Sequence, residues 1–457
     1  MTSTQRSFKA EANTLAKLAG PLIVAQGGVM LMGAVDAFII GQVSALEMAA
    51  VSLGNSIVGM FSAIGIGIAL GIEPLVGQAY GAKRPAGARS WLWQGLWVCL
   101  IGSPLFIGLI CGGSFLFESF GISEELSERA REYIWPRLPG VPITLWCVAS
   151  RAYLSSISRP KAALHAAIWS NILNVLLDIL LVFGYFDLPK LGATGIAWST
   201  TLCFALVLLV QGTAIRKIWR KSEDGSSEPV GLESFKNKSF SKIMRTGWPV
   251  GMHLLVEVGI FSAVSALIAR SGEIQLAAHQ IALSLASVTF MGAVGIANAT
   301  TSRVGNYVGA GSSIDAKQAG FVGMFLGGTF MAFWGSCFIF GADFLAAAFT
   351  NEPGVIPIAS NLVRIAGVFA LADGLQAVAA GALRGAGDTR WPFYANFTAH
   401  WLVGLPTGYV LSTNTQMGVA GYWWGLTLGL CLVAVFLILR FRRISSGHIR
   451  RLTLPPS

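Results

Sequence analysis

The chain reads as an all-α membrane protein, twelve transmembrane helices in two pseudo-symmetric six-helix bundles, and three observations predict that class. Of its 457 residues 54% are hydrophobic and only 12% are charged, about half the charge content of a soluble domain. Apolar runs of about 20 residues, the length that crosses a hydrocarbon core, recur from end to end. The second half of the chain repeats the first at a shift of 228 positions.

The predicted spans are 15–39, 47–76, 92–116, 131–151, 162–184, 194–215, 246–269, 277–307, 319–341, 355–382, 392–411 and 418–439. Basic residues orient them. Of the 32 Lys and Arg, 26 fall on the N-terminal segment, on the loops after even-numbered spans and on the C-terminal segment. Excess Lys and Arg marks the cytoplasmic side, so both termini are expected there. The net charge of +10 follows this loop pattern, and no nucleic-acid partner is expected. The N-terminus is polar and leads straight into the first span, with no cleavable signal peptide evident. The six cysteines lie scattered in apolar runs without a CxxC pair, which signals neither a disulfide framework nor a zinc site and reads as small packing residues.

The polar stretch from Arg216 to Lys242 divides the chain and reads as a flexible cytoplasmic linker. The expected division is an N-lobe over 1–215, the linker over 216–242, a C-lobe over 243–440 and a cytoplasmic tail over 441–457. The shift of 228 lays Pro21 on Pro249, Ala49-Ala50 on Ala277-Ala278, and VGQAYGA (76–82) on VGNYVGA (304–310). Six spans per half is an even number, so both halves enter from the same side. That is the parallel-repeat plan, with substrate expected between the halves near the midplane. Most of the 54 glycines suit close helix packing in lipid.

Polar residues inside the spans are the candidate site. Asp36 stands alone in the apolar run GPLIVAQGGVMLMGAVDAFIIG. An acid there costs roughly 2.5–3.5 kcal/mol on insertion scales, so it should face protein or water rather than lipid. Held so, it can take up and release protons, and its oxygens equally suit a small hard cation. Asn171, Asn174 and Asp178 in span 5 are offset by 3 and 7 and share one helical face. Thr194, Ser199, Thr200 and Thr201 near the start of span 6 can add hydroxyl oxygens. The second half holds Glu257 in span 7 and Asp373 in span 10. Under the repeat Glu257 falls opposite Val29 and Asp36 opposite Val264, so the halves share a scaffold but not a chemistry. Glu73 before Pro74, near the cytoplasmic end of span 2, is a gate candidate, with interfacial solvation as the alternative. His253 and His279 lie in spans; His165, His400 and His448 read as structural or interfacial. Most aromatics are lipid-facing or belt residues, and those lining a cavity can contact flat cations.

The absences matter as well. No GxxxxGK[ST], HExxH, GxSxG or glycine-rich dinucleotide fingerprint occurs. No enzyme activity, cofactor or ATPase subunit is expected, and energy should come from an ion gradient.

The sequence resembles the multidrug and toxic compound extrusion (MATE) family, in its NorM and DinF-like members, over essentially its whole length. The residues that carry this are Pro21 with VDAFIIGQVSALEMAAVSLGNSI, PLVGQAYGAKR after span 2, the Glu of HLLVEVGIFS, and ADGLQAVAAGALRGAGDTRWPFYANF through spans 10 and 11. The resemblance implies the MATE fold, a V-shaped pair of bundles in the plasma (bacterial inner) membrane, exporting organic cations or drugs in exchange for H+ or Na+, as a monomer. It implies that Asp36, Asn174 and Asp178, with Asn171 and Thr200, form an N-lobe proton or cation site. It implies too that Glu257 and Asp373 form the C-lobe cation pair of the NorM branch, with no metal beyond Na+ at these acids. That branch typically has a Tyr four residues before the second acid; here the position is Phe369, which keeps an aromatic face and lacks the hydroxyl. The motif around Glu73 is similar to a stretch of eukaryotic members. The alternative function is a lipid or lipid-linked oligosaccharide flippase of the same superfamily, for which a cationic cavity would be expected; the in-span charges here are mainly acidic.

Overall fold

Long apolar segments in lipid must satisfy every backbone polar group internally, and helices do this. The computed structural model, described here for residues 7–185, 189–224, 231 and 233–452, is helical accordingly, with no strand among the described residues. The helices are α1 (Phe8–Gly41), α2 (Ala45–Leu70), α3 (Ile72–Gly81), α4 (Pro85–Ser114), α5 (Glu124–Arg137), α6 (Gly140–Ser156), α7 (Lys161–Phe183), α8 (Ala193–Arg220), α9 (Asn237–Ala269), α10 (Glu273–Ala310), α11 (Ser313–Phe349), α12 (Ile356–Ala386), α13 (Arg390–Asn396), α14 (Leu405–Asn414) and α15 (Val419–Ser445). Local chemistry ends many of them. Ser44, Ser123 and Ser312 accept backbone N–H bonds as N-caps. Gly184, Gly311 and Gly387 close helices with φ of 71°, 84° and 89°, where a side chain would be strained.

Among the described residues ten helical stretches are long and apolar enough to cross a membrane, α2 and α3 counting as one. The other two expected spans are interrupted. Residues 131–151 fall on α5 and α6, which part at Leu138 and Pro139. Residues 392–411 fall on α13 and α14, joined by a π-helical stretch over Phe397–Gly404. Large apolar side chains stand on the exterior; Phe38, Phe340 and Phe344 are each more than 70% exposed, as lipid permits and water does not. All six cysteines are free.

The described chain forms two compact units. Their boundaries fall not at the polar stretch but inside α1 and α9. One unit is Val24–Gly251; the other takes residues 7–23 together with 252–452. Each boundary lies two residues beyond a helix-interior proline, Pro21 and Pro249, and the two are related by the 228-residue repeat.

Within Val24–Gly251 the first half of α9 packs on α2 through glycines at one-turn spacing. A Cβ on Gly67 would stand 2.1 Å from the Gly251 nitrogen, and one on Gly71 would stand 2.5 Å from the Gly247 Cα. Only hydrogen fits such a crossing. Thr246 Oγ1 donates to the Gly71 carbonyl at 2.9 Å beside it. The expectation of a flexible linker fails over its described part. Ser90 Oγ donates to Glu233 at 2.6 Å, Trp97 Nε1 to the Glu233 carbonyl at 2.9 Å, and Gln94 bonds the backbone of both Ser234 and Lys236 at 2.8 Å. Arg89 grips Asp224 with two bonds of 2.6 Å. The chain is pinned along α4.

Within the other unit the first half of α1 packs on α10. A Cβ on Gly295, the repeat mate of Gly67, would stand 2.7 Å from the Ile23 Cα. Leu15 and Leu22 enter a core with Ile296, Val304, Val308 and Phe441. Glu11 accepts two bonds of 2.8 Å from Arg303 and one of 2.8 Å from Tyr307. The segment after α15 folds back, with Ile449 N donating to Ser313 Oγ at 3.1 Å and Arg451 Nε to the Val308 carbonyl at 3.2 Å.

Candidate functional site

Each unit holds its own cluster of buried carboxylic acids. In Val24–Gly251 the cluster is built from α1, α7 and α8. Asp36 lies five residues before the end of α1, and the shared face of α7 turns Asn174 and Asp178 toward it. Asn174 Nδ2 donates to Asp36 Oδ1 at 2.8 Å, and Thr200 Oγ1 donates to Asp36 Oδ2 at 3.2 Å. Asn174 also reaches Ser199 Oγ at 3.3 Å. Asp178 faces Asp36, Asn174 and Ser199, yet neither of its oxygens closes a hydrogen bond with a described residue, nor does Asn174 Oδ1. Asn174, Asp178 and Ser199 have no exposed surface, and Asp36 and Thr200 have under a tenth.

Buried polar oxygens are almost always satisfied, so three orphan oxygens beside a second carboxylate make a place for a bound proton or a hard monovalent cation. The donor set is oxygen throughout. Among the described residues no group of three or more His, Cys, Asp or Glu is arranged to hold a metal ion; the candidate here is carboxylate, amide and hydroxyl oxygen.

The structure brings together Asp36, Asn174, Asp178 and Thr200, with Ser199. It does not bring in Asn171, whose Nδ2 bonds the Ala167 carbonyl of its own helix at 2.8 Å and packs against Gly28 of α1. Thr201 is likewise committed elsewhere, to the Pro136 carbonyl at 2.9 Å. Glu73, buried near the start of α3, lies roughly 40 Å along the helix from Ala45 at 1.5 Å per residue. It is remote from this cluster.

In the other unit Glu257 of α9 and Asp373 of α12 are joined by Gln376, one turn after Asp373. Gln376 Nε2 donates to Glu257 Oε1 at 2.8 Å and is within hydrogen-bonding reach of Asp373. His253, one turn before Glu257, places Nε2 3.5 Å from Glu257 Oε2. Its Nδ1 lies 3.2 Å from the Pro392 carbonyl. A carbonyl only accepts, so Nδ1 carries a hydrogen, and Nε2 faces the acid. Gln376 Oε1, both side-chain atoms of Asn396 and both ring nitrogens of His400 are buried without a hydrogen-bond partner among the described residues. Asn396 caps, and His400 lies within, the stretch where the helix widens into π geometry, a feature frequent at functional positions.

Phe369, one turn before Asp373, sits in an aromatic cluster with Phe261 at 6.1 Å and Trp423 at 5.8 Å. Behind it His279 is locked: Trp423 Nε1 donates to Nδ1 at 3.1 Å, and Nε2 lies 2.8 Å from Ser265 Oγ. An indole N–H only donates, so Nδ1 accepts and the proton sits on Nε2. His279 is thereby a packing residue of this cluster. Sequence reasoning missed Gln376 and Asn396 and read His400 as structural or interfacial. Gln376 was detectable, since it shares a helical face with Asp373 at a spacing of three. For the other two no local pattern marks burial.

The MatE family model matches residues 21–180 and 249–410 of the chain, one segment in each half. The probable multidrug resistance protein NorM of Idiomarina loihiensis is 31% identical over 460 residues, covering 97% of this chain and 96% of its own. Among solved structures, the eukaryotic MATE transporter AtDTX14 superposes with a TM-score of 0.86 at 20% identity, over 96% of this chain and 98% of its own. A MOP superfamily transporter from Pyrococcus furiosus superposes with a TM-score of 0.85 at 19% identity, over 96% and 97%. At these identities the two structures establish likeness of fold.

Proposed function

The chain belongs to the MatE family, and on that premise we propose that it is a secondary antiporter that exports organic cations or hydrophobic drugs in exchange for H+ or Na+. Membership makes it a multi-pass membrane transporter and a homologue of the NorM multidrug efflux proteins, in a family of transporters rather than enzymes. The coupling ion and the substrate class are the proposal.

One observation carries it: two clusters of carboxylic acids inside apolar helices, one in each unit, with Asp36, Asp178 and Asp373 buried and Glu257 mostly so, and with unpartnered oxygens on Asp178 in one and Gln376 in the other. A fold gains nothing from such groups, because an unpaired charge away from water costs several kcal/mol. A cycle that loads and unloads a cation there gives the cost a use. The acids also suit cationic substrates. A flippase for anionic pyrophosphate-linked lipids would need the opposite charge, so the antiporter is the reading that the acids support.

Each monovalent cation that descends a potential of 100 mV releases about 2.3 kcal/mol, enough to sustain a gradient of about fiftyfold for an uncharged drug; in one-for-one exchange with a monovalent organic cation the charges cancel and the concentration gradient of the coupling ion drives export. Coupling requires that cation binding and drug binding disfavour one another by a free energy of this order. The cation then enters from outside, loads Asp36 and Asp178 or Glu257 and Asp373, and drives drug release outward. The membrane is the bacterial inner membrane, as for a NorM homologue, and one chain carries both halves and so works as a monomer. The test is uptake of a fluorescent organic cation into inverted vesicles with imposed Na+ or pH gradients. Uptake driven by either gradient supports the proposal; uptake indifferent to both refutes it.

A further inference from the structure

The last residue of α5, Arg137, has no use in the scheme above. It makes no ion pair and no side-chain hydrogen bond with any described residue, and its Nε is buried without a partner. It stands beside the acids. The carbonyl of the preceding Pro136 accepts from Thr201 Oγ1 at 2.9 Å, and the adjacent Thr200 holds Asp36 at 3.2 Å. Tyr133, one turn earlier on α5 and packed on Gly54 of α2, stands among the charges of Arg137, Asp36 and Asp178 together. An arginine inside a span is expected to pair, and here both the cation and Asp178 have hydrogen-bonding atoms to spare.

We propose that Arg137 is a tethered counter-cation for Asp36 and Asp178, its guanidinium occupying the carboxylates in the part of the cycle when the coupling cation has left. The proposal rests on the ion-coupled reading above and names how its N-terminal site is emptied. Two ionised carboxylates cannot stay buried and bare. A guanidinium can bridge them with paired N–H bonds and cannot itself lose its proton. A mobile cation and a fixed one then compete for the same oxygens, and the competition keeps the site from holding its ion too tightly to release. The groups facing this competition are Asp36 of α1, Asn174 and Asp178 of α7, Ser199, Thr200 and Cys203 of α8, and Tyr133 of α5; the facing residue of α2 is Gly54.

The test is the thermal stability of the purified full chain in detergent as a function of Na+ concentration and of H+ concentration, since a ligand of the folded state at free concentration L stabilises it by RT ln(1 + L/Kd), so that the melting temperature begins to rise at a concentration near Kd. At an effective dielectric of about 20, removing a unit charge changes cation affinity by about tenfold when it stands about 12 Å from the site and by about a thousandfold when it stands about 4 Å away. In Arg137→Gln the melting temperature should therefore begin to rise at a concentration of the coupling cation lower by about tenfold or more, and Arg137→Lys, which keeps the charge and loses the paired N–H bonds, should shift less. In an Asp178→Asn background the effect of Arg137→Gln should shrink. An onset concentration unchanged by Arg137→Gln would overturn the inference, as would an equal shift in the Asp178→Asn background. A loss of melting temperature shared by the Gln and Lys variants without a shift in the onset would make Arg137 a cap of α5 and overturn it too. If these results go against Arg137 while Asp36→Asn still abolishes gradient-driven transport, the inference alone fails; if Asp36→Asn transports normally, the N-terminal site drops out of the ion-coupled reading and the inference falls with it, and if the variant with Asp36, Glu257 and Asp373 all neutralised transports normally, that reading itself fails.

Discussion

Asn174 and Asp36, 138 residues apart in the chain, meet at 2.8 Å through an amide N–H donated to a carboxylate oxygen. The bond ties α7 to α1 at the point where both are otherwise apolar. Asp36→Asn is expected to leave the protein folded and inserted, because an amide fills the same volume and keeps an oxygen for Thr200. It is expected to abolish gradient-driven efflux, because a neutral amide takes up no proton and brings no negative charge to hold a cation. Drug efflux from cells that express the variant at parental level checks this, and normal efflux would remove Asp36 from the mechanism.

Gln376 gives the second site its own test. It donates to Glu257 at 2.8 Å, and hydrogen bonds to charged groups contribute about 1.5–3 kcal/mol. Gln376→Leu should shift the coupling-ion concentration for half-maximal transport by about tenfold or more while the chain remains folded. An unchanged ion dependence would show that Glu257 does not rely on this donor.

The glycine crossing of α2 and α9 predicts a stability defect. A Cβ at Gly67 would meet the Gly251 backbone at 2.1 Å, and backbone cannot step aside as a side chain can. Gly67→Val is expected to cost about 3 kcal/mol or more by overpacking, seen as loss of folded protein in detergent. Gly20→Ala, where a Cβ would meet nothing within 4 Å, is the control and should be neutral.

Glu11 and Arg303 form a buried two-bond ion pair. Removing one partner leaves the other charged and enclosed, a loss of about 3–5 kcal/mol. Glu11→Ala should lower the melting temperature sharply, and the double variant Glu11→Ala with Arg303→Met should recover part of the loss. A double variant as unstable as the sum of the singles would show the pair to be uncoupled.

The spans and the repeat were legible because lipid imposes a length and a composition on each helix, and because Pro21 and Pro249 mark equivalent places in two copies. The acids were legible for a related reason: a carboxyl group in an apolar run is conspicuous. What could not be read was packing. The first halves of α1 and α9 each join a unit other than the rest of their helix, a result of glycine contacts such as Gly67 with Gly251 that no local periodicity records. The polar stretch looked flexible because Ser, Gly and charged residues dominate it, while its anchors, Ser90, Gln94 and Trp97, lie more than 130 positions away. Asn171 shares a helical face with Asn174 yet bonds its own backbone. A shared face gives direction without saying which neighbour stands opposite.

The most direct test of the central claim, that buried acids couple drug export to an ion gradient, is a paired measurement in inverted vesicles. Uptake of a fluorescent organic cation is followed under an imposed Na+ gradient and an imposed pH gradient, for the parent protein and for the triple variant Asp36→Asn, Glu257→Gln, Asp373→Asn. The account predicts accumulation by the parent under at least one gradient and none by the variant under either. Gradient-driven accumulation by the triple variant, or accumulation by the parent with no gradient imposed, would contradict it.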